Sequence, residues 1–358
     1  MTILFMYVVP GGGVDTLNRQ RCHALAARGI DCHCLYFHPG SGLQNVYAEG
    51  IPTFVTKEPA EMMGIINHYR YQAIVVTSAY LEVRMLRLFR YTGKIIFEIQ
   101  GLGTMDVARR EMIASQAILA SSVDGILVPK TEHVLRLCQE LLPHKRVFSF
   151  NNPLDTSYFT YTPQPQPESP ILAWFGRLEY NKNWRDFLRI GARMVRHYPK
   201  LKLWMFHDPT LAQHGEAEAF ERMAAELGLA SHIDLRANVP HAQMPGIFSA
   251  IGDSGGMLIA PSKVEGAPYA VIEAMSCRCP VLTTDSDGVR SAVVHDVTGK
   301  YFDHDDIDGA EREALALMRN KELRERIRTN GKLHVERAFS VEEYSQHFFQ
   351  MLMEVGAI

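Results

Sequence analysis

At 358 residues the chain is longer than one ordinary core needs and suits two domains of common size. Hydrophobic residues make up 47 % and charged residues 22 %, and no apolar run is long enough to cross a bilayer, which excludes a membrane-spanning chain. The formal charge of −3 gives no overall pull toward nucleic acid, so no nucleic-acid partner is expected.

The first run, Ile3 to Val9, is apolar and ends in glycines as a buried strand does. It lacks a basic leader and a small-residue cleavage site, so no export signal is read and a cytoplasmic location is expected. A helical stretch from Thr16 to Arg28 follows, and then further short apolar runs, at 30–37, 51–57, 72–79, 94–99, 124–129 and 146–151, alternate with helix-like segments. Strand and helix in turn predict a parallel sheet covered on both faces. Residues 160–169 carry proline at every second position from Pro163 to Pro167 and read as an extended linker.

Beyond it the rhythm restarts, with strands at 171–176, 201–206, 232–237, 256–261 and 280–285 and helices from about Trp184, around Glu216 to Leu227, and after Pro268. From about Asp308 the pattern is helical, and Tyr344, Phe348, Met351 and Leu352 share one face of the last helix. The expected organisation is an N-terminal domain over 1–159, a linker over 160–169, a second domain over 170–335 and a terminal helix over 336–358. Ligands of two doubly wound parallel sheets belong at the carboxyl ends of the strands. Cys22, Cys32, Cys34, Cys138, Cys277 and Cys279 form no C-x-x-C pair and read as reduced, buried thiols, with no metal site among them.

Three loops carry the residues that chemistry needs. Pro10-Gly11-Gly12-Gly13 follows a strand and opens a helix, where missing side chains let backbone amides approach an anion; a tight turn without a ligand is the alternative. It is not the G-x-G-x-x-G dinucleotide pattern. Gly176-Arg177-Leu178 ends a strand, and Lys182 stands just before the helix that begins near Trp184. Such cations can hold a diphosphate and offset its charge as it leaves, or can be solvated loop charges. The third loop, Ser262 to Pro268, leads into a helix carrying Glu273, with Pro268 expected at its first position. Amides of Gly266 and Ala267 then form an anion site at the positive end of the helix dipole, flanked by the carboxylates of Glu265 and Glu273. Each carboxylate suits a diol; taken singly, each also reads as a helix cap or an exposed helix acid.

The order and spacing of these pieces resemble the family-four, or group 1, retaining glycosyltransferases. The likeness rests on GGGVDTLNRQRCHALAARG, NPLDTSYF, FGRLEYNKNW, PSKVEGAPYAVIEAMSCRCPVLTTDSDGVRSAVVHDVTGKYF and AFSVEEY, and its specific element is the pair of acids at 265 and 273. It implies the GT-B fold, an α/β architecture of two Rossmann-like domains facing a central cleft, with the last helix crossing back to the N-terminal domain. It also implies transfer of a sugar from a nucleoside diphosphate, UDP-linked, to a hydroxyl of an acceptor, with retention and without metal or other cofactor. In that pattern Arg177 and Lys182 hold the diphosphate, Glu265 the sugar and Glu273 the ribose. Gly176, Gly266, Ala267, Pro268 and Tyr269 frame the donor, and Gly12 and Gly13 approach it from the other domain.

One departure is clear: where the family commonly has a histidine, this chain has Gln100 followed by Gly101. Glutamine can hold a sugar hydroxyl but cannot move a proton, and the family's chemistry is drawn with the leaving phosphate taking the acceptor's proton. His207 and Asp208 stand where the family often has glycines, and read as reshaping the nucleotide pocket or as loop polarity. Arg109 and Arg110 read equally as acceptor contacts or surface charge. A helix over Leu81 to Tyr91 carries Arg84, Arg87 and Arg90 at a spacing of three, which suits either peripheral contact with anionic lipid or a solvated basic face. The competing functions are a silent sugar-nucleotide-binding scaffold, motivated by Gln100, and a sugar-nucleotide epimerase.

Overall fold

The structure, a computed structural model, describes residues 1–165 and 167–358 and divides into two compact units, Met1–Pro153 with Phe339–Ile358 and Leu154–Ala338. The first unit is built from β1 (Thr2–Tyr7), α1 (Gly12–Ala26), β2 (Asp31–Tyr36), α2 (Leu43–Ala48), β3 (Thr53–Val55), α3 (Pro59–Tyr69), β4 (Ala73–Thr77), α4 (Tyr80–Leu88), β5 (Lys94–Glu98), α5 (Met105–Ser122), β6 (Gly125–Val128), α6 (Glu132–Leu141) and β7 (Val147–Ser149). The second holds β8 (Ile171–Phe175), α7 (Trp184–His197), β9 (Lys202–His207), α8 (Glu216–Glu226), β10 (Ile233–Ala237), α9 (Met244–Asp253), β11 (Met257–Ala260), α10 (Tyr269–Ser276), β12 (Val281–Thr284), β13 (Lys300–Phe302), α11 (Ile307–Arg319) and α12 (Lys321–Ala338). A last helix, α13 (Val341–Glu354), belongs to the first unit.

In the first unit the strands run parallel in the order β3-β2-β1-β4-β5-β6-β7. Side chains of β1 alternate between two cores: Leu4 and Met6 meet the residues of α3 to α6, whereas Ile3 and Phe5 meet α1 and α13. That double burial is why β1 reads as an unbroken apolar run. On α13, Tyr344, Phe348, Met351 and Leu352 are all buried, and the Phe348 ring meets Phe5 edge-on at 6.0 Å. The amphipathic face of the final helix therefore covers the second face of the first sheet.

The second sheet is parallel in the order β10-β9-β8-β11-β12-β13. Strand β13 and helix α9 were not anticipated. Three residues are too few to show a period, and Met244–Asp253 mixes glycine and proline into its apolar face. Strand numbering reverses between β1 and β4 in one sheet and between β8 and β11 in the other, and ligands of doubly wound sheets bind at such reversals.

The proline-spaced stretch is tied to the second unit. Phe159 is fully buried, Tyr161 donates to Asp253 at 3.1 Å, and the Thr162 amide donates to Ser249 at 3.1 Å. The division accordingly falls after Pro153, ahead of the expected linker at 160–169, one residue of which, Gln166, lies outside the described residues. Two helix ends also differ from expectation. Pro268 precedes α10 as its cap, with ψ of 76°, so Tyr269 is the first helical residue. Helix α4 stops at Leu88, short of Tyr91, because Arg90 turns left-handed with φ of 61°. All six cysteines are free and buried.

Candidate functional site

Strands β8 and β11 are neighbours at the reversal of the second sheet, and their following loops are laced together. Asn181 does the lacing: its side-chain amide donates to the Val264 carbonyl at 3.0 Å and accepts from the Val264 amide at 3.1 Å. Its own carbonyl accepts from the Lys263 amide at 2.9 Å. Gly176 lets the first loop fold back on itself, since a Cβ there would stand 2.9 Å from the Trp174 ring and 3.1 Å from Lys182. The Trp174 indole N–H donates to the Lys182 carbonyl at 3.1 Å, and Asn183 ends the loop in the left-handed region with φ of 49°.

Lacing the loops brings the Lys182 ammonium directly onto the Glu265 carboxylate. Arg177, half exposed, lies 3.2 Å from Glu179. Gly288 supports the acid's loop from below: its amide donates to the Glu265 carbonyl at 3.0 Å, and a Cβ would meet the carbonyl oxygens of Glu265 and Gly266 at 2.3 Å. Glu273, the fifth residue of α10, is 6 % exposed and lies 3.2 Å from His241 Nε2. The His241 ring packs on Phe159 at 5.0 Å. The amide of Tyr269 donates to the Ala267 carbonyl at 3.0 Å, so it is engaged within the turn. Burial holds the His207 imidazole below its ordinary value, and its Nδ1 has no partner.

In the first unit, Gly12 opens α1 with φ of 68°, and Gly12 and Gly13 are exposed beside the reversal between β1 and β4. Gly42, after β2, packs so closely on this loop that a Cβ would stand 2.8 Å from Pro10 and from Asp15. Gln100 follows β5, and its amide donates to Glu98 at 3.0 Å and to Asn152 at 3.3 Å while accepting from Asn152 at 2.7 Å. Gly101 beside it is exposed. Arg109 is not left open for an anion: it makes a two-pronged pair with Glu140 at 2.6 and 2.7 Å on the surface. Arg87 likewise leaves the expected basic row. It turns inward, donating to the carbonyls of Ser122, Tyr91 and Gly93 and to Asp124 at 2.6 Å, whereas Arg84 and Arg90 stay exposed.

Asn181, Gly288, His241 and Asn152 carry no signal of their own in the sequence. Asn181 lies within the quoted FGRLEYNKNW and Gly288 within TTDSDG, but their work depends on which loops become neighbours. Among the described residues, His295, Asp296 and Glu313 form the one group with metal-ligand spacing, and the Lys300 ammonium already bonds both carboxylates. No helix among the described residues is long and apolar enough to cross a membrane.

The description glycosyl transferases group 1 matches residues 162–334. A 2-deoxystreptamine N-acetyl-D-glucosaminyltransferase of Streptomyces fradiae is 28 % identical over 127 residues, 35 % of this chain and 28 % of its own length. A GDP-mannose-dependent alpha-(1-6)-phosphatidylinositol monomannoside mannosyltransferase of Mycolicibacterium smegmatis is 28 % identical over 148 residues, 39 % of this chain and 36 % of its own. The chain thus spans about a third of the length of these curated relatives or less. Among solved structures, sucrose-phosphate synthase from Thermosynechococcus elongatus superposes with a TM-score of 0.81 at 16 % identity, covering 100 % of this chain and 99 % of that one. Anabaena HepE in complex with UDP and glucose gives 0.83 at 14 % identity, covering 99 % and 100 %. Residues 162–334, nearly the whole second unit, therefore match the group 1 glycosyl transferases, and the chain has the GT-B fold.

Proposed function

We propose that this chain is a retaining glycosyltransferase that takes a sugar from a nucleoside diphosphate, UDP-linked, and passes it to a hydroxyl of its acceptor without a metal. The observation that carries the reading is the contact of Lys182 with Glu265 where two laced loops leave β8 and β11. A cation and an acid held together there can serve the two halves of a sugar diphosphate. Lys182, with Arg177, takes the phosphate oxygens and offsets the charge that builds as the bond to the sugar breaks. Glu265 accepts the sugar's hydroxyls, and Glu273, eight residues on, accepts those of the ribose. Gly176 and Gly288 keep the loops close enough for this, while Gly266, Ala267, Pro268 and Tyr269 form the turn around the donor.

Gln100 offers a side-chain amide to a hydroxyl, of the acceptor or of a sugar. An amide does not titrate near neutrality, so the proton of the acceptor hydroxyl passes to the leaving phosphate. On the surface, Arg84 and Arg90, with the exposed Leu81, Leu88 and Phe89, form a strip suited to an anionic bilayer.

The reading is tested by calorimetry of the purified protein with UDP, GDP, ADP and their sugar conjugates in the presence of a chelator, repeated on Arg177→Ala and Glu273→Ala. One base should bind the wild type, more weakly in both variants, and the conjugate should release free diphosphate when an acceptor is supplied. Binding that appears only with added divalent metal would overturn the metal-independent mechanism. Binding without any release would leave a sugar-nucleotide-binding protein.

A further inference from the structure

Glu273 is a buried acid held from one side. Its Oε1 lies 3.2 Å from His241 Nε2, and among the described residues His241 is the one side chain bonded to the carboxylate. A carboxylate can only accept, so Nε2 carries a hydrogen and aims it at the acid. The other oxygen, Oε2, is left for a ligand. Burying a carboxylate is costly unless its lone pairs find donors, and a single N–H leaves most of them open.

The imidazole is itself held in place. His241 opens a 3₁₀ turn, His241–Gln243, between Pro240 and the start of α9, so its backbone is pinned at both ends. Its ring meets Phe159 edge-on at 5.0 Å and stacks on Tyr158 at 6.5 Å, with the planes 18° apart. Phe159 is fully buried, and its carbonyl accepts a hydrogen bond from the Ser276 hydroxyl at the end of α10. The helix that carries Glu273 therefore also fixes the wall behind the imidazole, and the ring stands between the two. All of these residues lie in the second unit, Leu154–Ala338.

We infer that His241 is a positioning residue for nucleotide recognition: its Nε2–H fixes the Glu273 carboxylate with Oε2 turned to the ribose diol, and so selects a ribonucleoside over a 2′-deoxyribonucleoside diphosphate. The inference rests on the reading of Glu273 as the acid that takes the ribose, and it adds His241, with Tyr158 and Phe159 behind it, to that contact. A carboxylate free to rotate spends part of each hydrogen bond on being ordered, whereas one already oriented does not. It also gives the end of NPLDTSYF a task, because Tyr158 and Phe159 are the surface on which the imidazole rests.

The test is calorimetry of UDP against 2′-deoxy-UDP, with the guanosine and adenosine pairs beside them, on the wild type, His241→Phe and His241→Gln. Phenylalanine keeps a ring against Phe159 and removes the N–H, while glutamine returns an N–H near the place of Nε2. The wild type should prefer the ribose form of the base it binds. In His241→Phe that preference should fall about fivefold with the deoxy form bound as before, and His241→Gln should restore most of it. Equal weakening of both forms would make His241 a packing residue, and an unchanged preference would show the acid oriented without it; either overturns the inference. A wild type that binds a diphosphate without regard to the 2′-hydroxyl removes the ribose reading of Glu273 and the inference with it. Binding of no diphosphate removes the donor reading as a whole. Should His241→Phe not fold, His241→Asn decides: its amide is polar but too short to reach the acid, and a wild-type preference in it overturns the inference.

Discussion

The Lys182 ammonium and the Glu265 carboxylate neutralise each other at the carboxyl end of the second sheet, with side chains 25 % and 13 % exposed. Under the proposed function, a diphosphate arriving there would draw the ammonium away from the acid and release the acid to a sugar hydroxyl. Replacing the acid should therefore act in opposite directions on two ligands. Glu265→Gln should bind bare diphosphate more tightly than the wild type, because its cation is no longer shared, while sugar transfer falls. Lys182→Ala should lower turnover by about 10²-fold with a smaller effect on donor affinity. In the double variant the effects on diphosphate affinity should couple by about 1 kcal/mol. Independent, additive effects would show that the two groups do not share one ligand.

Gly288 makes a stability prediction with a functional sign. A methyl group there meets two backbone oxygens at 2.3 Å, neither of which can rotate away. Gly288→Ala should push the Glu265–Gly266 turn aside at a cost of about 1–3 kcal/mol, the range for overpacked sites. The loss should appear both in the denaturant midpoint and as weaker donor binding in calorimetry. A variant with wild-type stability and affinity would mean that the loop after β12 moves freely of the turn.

What could be read from residues alone follows from this geometry. The central strands β1, β4 and β5 announce themselves because burial on both faces demands an unbroken apolar run. Lys182, Glu265 and Glu273 stand out as candidates only through the resemblance of their order and spacing to the family's pattern, since each taken singly reads as an ordinary loop or helix charge. Asn181 and Gly288 do not, since an asparagine or a glycine in a loop is ordinary until the loop it touches is known. Arg87 shows the reverse error: its spacing from Arg84 and Arg90 suggested one basic face, and only tertiary packing turned it inward. Glu98 stood in plain view within KIIFEI, but its partner Arg21 lies 77 residues away.

Burial also gives the fold a pH dependence. It holds the imidazoles of His33 and His207 below their ordinary value of 6.5. In the folded chain they stay neutral while the unfolded chain takes up protons, so the unfolded state binds more of them just below that value. Stability is then complete above pH 6.5 and declines as pH falls through it. Glu216 and Asp285, pulled down by hydrogen bonds from Arg185 and Arg290, lose their contribution only below 4.5 and 3.8, a separate window. The urea midpoint should decline between about pH 6.5 and pH 5, and His33→Gln with His207→Gln should flatten that decline. An equal slope in the double variant would assign the effect to other groups.

The arginines of α4 and the turn after it separate a structural role from a surface one. Arg87 bonds three backbone carbonyls, of Ser122, Tyr91 and Gly93, and shares Asp124 with the Ile95 amide at 2.8 Å. Arg87→Ala strands these acceptors and should cost roughly 2–3 kcal/mol, read as a lower unfolding midpoint. Arg84 and Arg90 point to solvent beside Leu88, which is 71 % exposed, and Phe89, which is 46 % exposed. Replacing both cations with alanine should leave the midpoint unchanged. Each cation near an anionic surface is worth about 1 kcal/mol, so the pair should weaken sedimentation with phosphatidylglycerol vesicles by roughly thirtyfold. Leu88→Glu should weaken it further, because it sets a charge where an apolar side chain enters the interface. Equal binding of the wild type to neutral and anionic vesicles, or no loss in these variants, would return α4 to a solvated helix with one structural arginine.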